Sequence, residues 1–229
     1  WSSDVCSSDL PPASCDRAFA MTSSLSCMLL AALAVFERAP WSARGQRIHD
    51  LAALARQGLQ RWDAPVAALA TQPFERVIYL ASGPLEALAR EAALKVLELT
   101  AGRVLAMANT PLGFRHGPKS TLDPRTLVVM LRSVQPLARR YEQDLLEELR
   151  GDGVAGKVLS VGPHSDIGAG DDFTLQVPPL ADAWLAPAWL PFAQLYALRR
   201  SASLGLTPDN PFPDGTVNRV VKGVTIHHG

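Results

Sequence analysis

From about residue 75 onward, short apolar runs alternate with segments of helical periodicity. The helical patterns predict helices over Leu85–Thr100, Leu137–Arg150 and Trp184–Ser201. The apolar runs between them are typical of strands buried within a sheet. These predicted strands are Arg76–Ala81, Val104–Ala108, Thr126–Leu131, Lys157–Val161 and Phe173–Val177. Because strands that alternate with helices form parallel sheets covered on both faces, the pattern predicts a doubly wound α/β domain.

The first seventy residues carry helical patterns but no strand pattern. The hydroxyl-bearing residues Thr22–Ser24 predict the N-cap of a helix over about 25–37. A second helical pattern fills about 42–70, and Pro65 is expected to interrupt it. Trp1–Leu10 has no amphipathic period and repeats Ser-Ser-Asp, so we exclude it from the fold as a non-native leader.

The composition is that of a compact protein with balanced charge. Lys+Arg and Asp+Glu number 22 each, so no net field favours nucleic acid or anionic lipid. Three cysteines near one end form no disulfide framework, which fits a reducing cytoplasm, and no zinc-type spacing is present. The apolar run Cys27–Phe36 is well short of the roughly 20 residues that span a bilayer. We therefore expect a cytoplasmic protein without a metal, nucleic-acid or membrane partner.

Three charged residues form a stripe along the helix predicted over Leu85–Thr100. At about 100° per residue, Glu91, Lys95 and Glu98 fall within about 60° of one another. One interpretation is a solvated stripe, in which the Glu91–Lys95 pair contributes about 0.2–0.5 kcal/mol. The other is that the helix is central and its charges point into a cleft. A partly desolvated glutamate would then serve as a general base.

A histidine and a lysine also stand out in the second half of the chain. His116 lies in Arg115–Pro118 after a predicted strand, where ligands of open α/β sheets bind, and histidine transfers protons near neutral pH. A basic surface loop is the alternative. Lys222 has two interpretations. It protects an edge strand from aggregation, or it is a cation that the last segment of the chain places at the active site. We interpret the remaining histidines as surface residues: His49, His164, His227 and His228.

Several motifs resemble one known family. The segment Val77–Gly102 is similar to the second sugar-isomerase (SIS) domain of the AgaS-like family. That family comprises tagatose-6-phosphate ketose/aldose isomerases, also described as galactosamine-6-phosphate deaminase/isomerases. Phe114–Ser120 and Val217–Ile226 match the same family, and Asp16–Ser24 looks like the tail of its first SIS domain.

The resemblance implies a flavodoxin-like, three-layer SIS fold and a division of the chain into four parts. Residues 1–10 are the leader and 11–70 the helical tail of a truncated first SIS domain. Residues 71–205 are the second SIS domain and 206–229 a C-terminal arm.

The resemblance also implies roles for individual residues. The isomerase domain of glucosamine-6-phosphate synthase, a more distant relative, shares the motifs around Lys95, Glu98 and His116. By that correspondence, Glu98 is the base that moves a proton between the first two sugar carbons. His116 assists ring opening, often from a neighbouring subunit, and Lys95 and Lys222 support the open-chain sugar. The other expected substrate-binding residues are Ser82, Gly83, Thr22 and Ser23.

These roles imply an isomerase or deaminating isomerase of a hexose or hexosamine 6-phosphate, such as tagatose 6-phosphate or galactosamine 6-phosphate. It would act by enediol proton transfer, without a cofactor, as a dimer or larger homo-oligomer. A non-catalytic SIS module that senses a sugar phosphate is the alternative. A glutamine-dependent aminotransferase would need a cysteine nucleophile domain that is not visible here. The sequence does not separate isomerisation from deamination.

The family's Ser/Thr-rich phosphate loop, which belongs to the first domain, is not visible in this sequence. Ser133–Pro136 occupies the equivalent place in the second domain but is poor in hydroxyls. We therefore expect little activity from this chain in isolation. We also expect the helix around Cys27–Phe36 to expose apolar surface and to promote aggregation.

Overall fold

The computed structural model describes residues 10–15, 17–164, 172–220, 223, 225 and 227. The predicted leader, apart from Leu10, lies outside these residues, as do residues 221, 222, 224 and 226 of the Val217–Ile226 motif. The described helices are α1 (Thr22–Phe36), α2 (Trp41–Ala70), α3 (Leu85–Leu99), α4 (Pro111–His116), α5 (Pro136–Asp152) and α6 (Asp182–Ser203). The described strands are β1 (Arg76–Ala81), β2 (Leu105–Asn109), β3 (Thr126–Leu131), β4 (Lys157–Pro163) and β5 (Phe173–Leu175).

The five strands form one parallel sheet in the order β2-β1-β3-β4-β5. The predicted doubly wound α/β fold is therefore confirmed. Alternate residues of β1 enter two separate cores: Val77 and Tyr79 pack with α2, α3 and α6, whereas Ile78 and Leu80 pack with α4 and α5. The strand order reverses between β1 and β3, which makes their carboxyl ends the topological switch point of the sheet.

Helix α2 continues through Pro65, so the predicted interruption is wrong. Proline removes one backbone donor and crowds the preceding turn, which costs about 3 kcal/mol in a helix interior. Here the neighbouring residue Trp62 is buried and packs edge-on against Phe173 and Phe192, with ring centroids 6.2 and 6.3 Å away. Burial of this aromatic cluster offsets the cost, because tertiary packing outweighs local helix propensity.

Helix α1 begins at Thr22 rather than after the hydroxyl-bearing triplet, so the predicted N-cap is also wrong. Its N-cap residue is Met21, which makes no side-chain capping bond. The Ser24 hydroxyl instead donates to the Ser14 carbonyl, 2.7 Å away, and ties the helix to the segment before it. The triplet thus lies inside the first turn. No described helix combines the length and apolarity that a bilayer crossing requires.

Candidate functional site

The charged stripe of α3 is largely shielded from solvent. The Lys95 side chain is only 8% exposed, and those of Glu91 and Glu98 are 19% and 27% exposed. The Lys95 ammonium lies 3.4 Å from Glu91 Oε1 and forms a hydrogen-bonded ion pair with Glu98. A solvated stripe would leave the lysine exposed, so the cleft interpretation is the one that fits. One ammonium thus bridges two carboxylates.

Glu91 has a perturbed ionisation. Burial raises the pKa of its carboxyl above the ordinary value, and the neighbouring Lys95 only partly opposes this. A carboxyl in such surroundings holds its proton to higher pH than an exposed carboxyl does, which suits a group that takes up and releases a proton. The sequence placed Glu91 on the stripe but gave no sign that this glutamate would be the desolvated one.

Glu91, the first residue of the stripe, lines a groove between α1, α3 and α6, which we call the three-helix groove. Its main cavity has a volume of about 230 Å³. Leu25 and Leu29 of α1 and Leu190 of α6 line it, and Leu88 and Glu91 contribute from α3. Glu91 is the charged group in an otherwise apolar lining, which explains its desolvation.

The two helices α3 and α6 run in the same direction. Helix α3 follows the carboxyl end of β1, and α6 begins beside the carboxyl end of β3, where Asp182 Oδ1 accepts a hydrogen bond from the Val134 N–H at 2.8 Å. At the far end of the groove, Leu99 of α3 and Leu198 of α6 line a second cavity of about 200 Å³. Thr22 of α1 lines the same cavity, so the structure brings this predicted substrate-binding residue to the C-terminal end of α3, at Leu99.

Ser23 lies at the same end of the groove. With Thr22, Ser14 and Ser26 it lines an open cavity of about 370 Å³, so several hydroxyl groups converge there. Gln194 of α6 borders both this cavity and the preceding one. Gln194 was not among the predicted site residues, although a lone glutamine within the apolar run Ala183–Ala197 was a usable signal.

Ser82 and Gly83 lie at the opposite end of α3. Gly83 and Glu98 are separated by 15 helical rises, or roughly 22 Å at about 1.5 Å per residue. The structure therefore does not bring Ser82 and Gly83 to Glu98, and one hexose phosphate cannot contact both ends. Ser82 instead hydrogen-bonds to the buried carboxylate of Glu142.

The switch point between β1 and β3 is filled by the chain's own carboxylates. Glu142 is fully buried, accepts from the Ser133 N–H at 3.0 Å and lies 3.5 Å from Arg132 Nε. The Ser133 hydroxyl donates to Asp182 Oδ2 at 2.6 Å. Ligands of open α/β sheets usually bind at this crevice. Here Ser133–Pro136 is committed to internal bonds. The three-helix groove, which contains the desolvated Glu91, is therefore taken as the candidate site.

His116 lies on the other face of the sheet. It is the last residue of α4, a short helix, and not part of the loop that the sequence predicted. The reason is the cap at Thr110, whose hydroxyl accepts from the Gly113 N–H at 3.1 Å and starts the helix directly after β2. His116 is exposed, and the sheet separates it from Glu98 of the same chain.

Ion pairs hold the residues on either side of His116. Arg115 Nη2 lies 2.7 Å from Glu148 Oε2, and Lys119 pairs with Glu148 and, at 2.6 Å, with Asp152. His49, His164 and His227 are exposed, as the sequence indicated. His228 lies outside the described residues.

Lys222 also lies outside the described residues, so its predicted contact with substrate stays a prediction. The described part of the C-terminal arm does pass close to the groove. Phe212 packs against Phe19 with ring centroids 5.5 Å apart, and Pro208 and Asp209 line the cavity that contains Thr22. Within the described part of the chain, no cluster of His, Cys, Asp and Glu is placed to hold a metal ion.

Comparison with known proteins gives close relatives. The chain is 46% identical over 222 residues to a provisionally named D-galactosamine-6-phosphate deaminase AgaS of Streptomyces coelicolor, covering 95% of this chain and 57% of the relative. It is 44% identical over 224 residues to D-galactosamine-6-phosphate deaminase AgaS of Escherichia coli, with the same coverage. No protein-family model matches the chain.

Among solved structures, a provisionally named tagatose-6-phosphate ketose/aldose isomerase from Clostridium novyi NT superposes with a TM-score of 0.90 at 40% identity. The match covers 96% of this chain and 58% of that one. The chain thus spans a little more than half the length of the relatives it matches. With this identity along nearly all of its residues and the same fold, the chain is homologous to the AgaS-like SIS-domain proteins over the part of them that it spans.

Proposed function

We propose that this chain carries the proton-transfer centre of a sugar-phosphate aldose/ketose isomerase or deaminating isomerase. The observation that carries the proposal is the buried Lys95 ammonium between the carboxylates of Glu91 and Glu98. The relatives named as deaminases and as a ketose/aldose isomerase support a hexose or hexosamine 6-phosphate as substrate. We further propose a cytoplasmic homo-oligomer, consistent with the cysteine content and the balanced charge.

The groups on α3 match the needs of the reaction. Aldose–ketose exchange requires a base that serves both C1 and C2 and a cation that stabilises the enediolate oxygen. Glu98 is the base in this proposal, and Lys95 is the cation. Glu91, whose carboxyl has a raised pKa, can pass a proton to and from a sugar oxygen. Together these residues account for the protons that move between the open-chain aldose and ketose.

An amino group at C2 would turn the same step into a deamination. Proton transfer from C2 to C1 leaves an iminium at C2 in place of the ketone. Water then adds to that carbon, the C–N bond breaks, and the products are the ketose and ammonia. Both outcomes use the same base, so α3 serves either activity.

The remaining groups are assigned by their place in the fold. Thr22 and Ser23 lie at the Glu98 end of the three-helix groove and are proposed to contact the sugar. His116 is too remote to act within one chain, so a second copy would have to supply it for ring opening. Lys222 is proposed to approach along the C-terminal arm. Ser82 and Gly83 lie at the wrong end of α3 for the same substrate molecule.

The experiment is to co-express this chain with the N-terminal part of the E. coli relative and to follow two products. Ammonia release is measured from galactosamine 6-phosphate, and isomerisation is measured from tagatose 6-phosphate. Glu98→Gln is expected to lower the rate of either reaction by about 10²–10⁴-fold, the usual loss when a general base is removed. The matched control is Glu86→Gln, which removes only the 2.6 Å surface pair with Arg90.

The pattern of products decides among the candidates. Ammonia release that disappears in Glu98→Gln identifies a deaminating isomerase, and isomerisation alone identifies a plain isomerase. Binding of the sugar phosphate without either product would contradict the proposal and favour a sensor. Equal rates in Glu98→Gln and the control would remove Glu98 as the base.

A further inference from the structure

Gln194 is a polar residue within a largely buried helix, and its amide is only partly satisfied. Its neighbours Ala193 and Leu195 belong to the core. The Nε2 atom is shielded from solvent, and no described residue accepts its hydrogens. Buried polar atoms in folded proteins nearly always find a partner, so an unmet donor needs an explanation.

The position of Gln194 supplies one. The side chain borders both the hydroxyl-rich cavity of about 370 Å³ and the cavity of about 200 Å³ at the end of α3. Two contacts fix how α3 and α6 are aligned. Glu91 of α3 lines one cavity with Leu190 of α6, and Leu99 of α3 lines the next cavity with Gln194 of α6. Because α3 and α6 run in the same direction, Gln194 lies level with the segment that contains Lys95.

We infer that Gln194 binds the substrate, donating its amide hydrogens to a hydroxyl oxygen of the open-chain sugar. The torsion that orients a glutamine amide has a broad minimum, so the amide can turn toward either cavity at little cost. The lining of these cavities favours hydroxyl-bearing carbons over a phosphate. It offers the Thr22 hydroxyl and the carboxylate of Asp209, and none of the residues that line these cavities carries a cation. The Ser14 and Ser26 hydroxyls donate to the Pro11 and Thr22 carbonyls, so their oxygens are left as acceptors.

The inference rests on the proposed function and adds a recognition residue to it. Glu98 and Lys95 act at C1 and C2, whereas Gln194 would hold a carbon further along the chain. Its effect is therefore expected on affinity and not on the proton-transfer step.

Gln194→Met tests the inference, because methionine keeps the length of the side chain and removes the amide. The probe is galactitol 6-phosphate, an open-chain polyol phosphate that cannot isomerise, titrated into the 229-residue chain by calorimetry. Loss of one hydrogen bond to the ligand is expected to weaken binding about tenfold. The matched control is Gln60→Met, which alters an exposed glutamine of α2 and should leave the affinity unchanged.

Thermal melting separates recognition from a structural role. An amide that supports the fold would lower the melting temperature when it is replaced. An unpaired buried amide predicts an unchanged or higher melting temperature, since methionine removes a buried group without a partner. Weaker binding at an undiminished melting temperature supports the inference, whereas a lower melting temperature at unchanged affinity overturns it.

The outcome is independent of whether catalysis occurs. Weakened binding in Gln194→Met together with an absence of turnover would refute the proposed function and keep the inference. Turnover that depends on Glu98, with wild-type affinity in Gln194→Met, would refute the inference and keep the function. If the unaltered chain shows no saturable binding of the polyol phosphate, the inference fails.

Discussion

Lys95 shares its ammonium group between two carboxylates that differ in their surroundings. Glu91 faces the apolar lining of the three-helix groove, whereas the Glu98 side chain is more exposed to solvent. Placing titratable groups in different environments is the usual way in which proteins assign separate acid and base roles. At the scale of single residues, the site therefore depends on where α3 is buried as much as on which residues it carries.

The buried carboxyl predicts an unusual dependence of stability on pH. Because burial raises the pKa of Glu91, the folded state holds this proton more tightly than the unfolded chain does. The stability that Glu91 contributes is full below the ordinary pKa of 4.5 and is lost as pH rises through the folded-state value. The glutamine side chain of Glu91→Gln is neutral at every pH. The melting temperature of this variant should therefore rise relative to that of the wild type as pH increases above 4.5.

Melting curves at several pH values measure this difference. Glu86→Gln provides the control, because Glu86 forms a surface pair in the first turn of the same helix. A Glu91→Gln curve that stays parallel to the wild-type curve between pH 4 and 8 would show that burial of Glu91 costs nothing.

Helical periodicity was sufficient to predict the stripe, because it follows from the sequence spacing alone. It could not predict which carboxylate is desolvated, since that depends on Leu25, Leu29 and Leu190 arriving from other helices. Gln194 was missed for the same reason: its significance arises from the two cavities that it borders. Residue type and spacing indicate candidate chemistry, and tertiary contacts decide which candidates meet.

At the scale of elements, the strands were predicted well and the helix boundaries less well. The five apolar runs became five parallel strands, with bounds shifted by a residue or two. The errors have local causes: Trp62 packing carries α2 through Pro65, and the Thr110 cap converts the His116 loop into a short helix. Patterns report the average preference of a segment, whereas one cap or one buried ring decides where an element begins or ends.

The connection between α5 and β4 depends on a close backbone approach. A Cβ at Gly156 would lie 2.1 Å from the Pro124 carbonyl oxygen, a group that cannot move without shifting the turn before β3. Gly156→Ala is therefore expected to reduce the free energy of unfolding by about 1–3 kcal/mol, the range for overpacking. Urea denaturation of the two proteins measures the loss.

Gly151 offers the matched control. It lies in the last turns of α5, and a Cβ there meets no atom within 4 Å. Gly151→Ala should increase stability by up to about 1 kcal/mol, because alanine favours the helix. Equal effects of the two substitutions would show that the turn before β3 can shift to make room for the added Cβ without loss of stability.

At the scale of the whole molecule, the candidate groups are distributed over separate places. Glu91 and Thr22 line cavities of the three-helix groove, and Lys95 and Glu98 lie on the same helix as Glu91. His116 lies across the sheet, and Ser82 lies at the far end of α3. A single chain therefore gathers only part of the predicted site. This distribution is what the proposed homo-oligomer explains, since a second copy can present His116 where the first copy lacks a histidine.

The apolar surface of α1 provides the test at this scale. Phe36 is 86% exposed and Val35 63% exposed, next to the exposed Trp41 at the start of α2. Contiguous apolar patches of this kind usually mark contact surfaces or promote aggregation. The 229-residue chain is therefore expected to self-associate. The double substitution Val35→Thr and Phe36→Gln should reduce that association, as measured by sedimentation velocity at several concentrations.

A control on the opposite side of the sheet distinguishes this patch from apolar surface in general. Leu137 of α5 is 66% exposed but stands apart from α1, so Leu137→Gln should leave the sedimentation profile unchanged. Equal reduction by both variants would assign the association to nonspecific hydrophobicity. A monodisperse wild-type monomer that melts cooperatively would contradict the expectation directly. It would also leave His116 without a partner subunit, so the proposed ring-opening role of that residue would have to be abandoned.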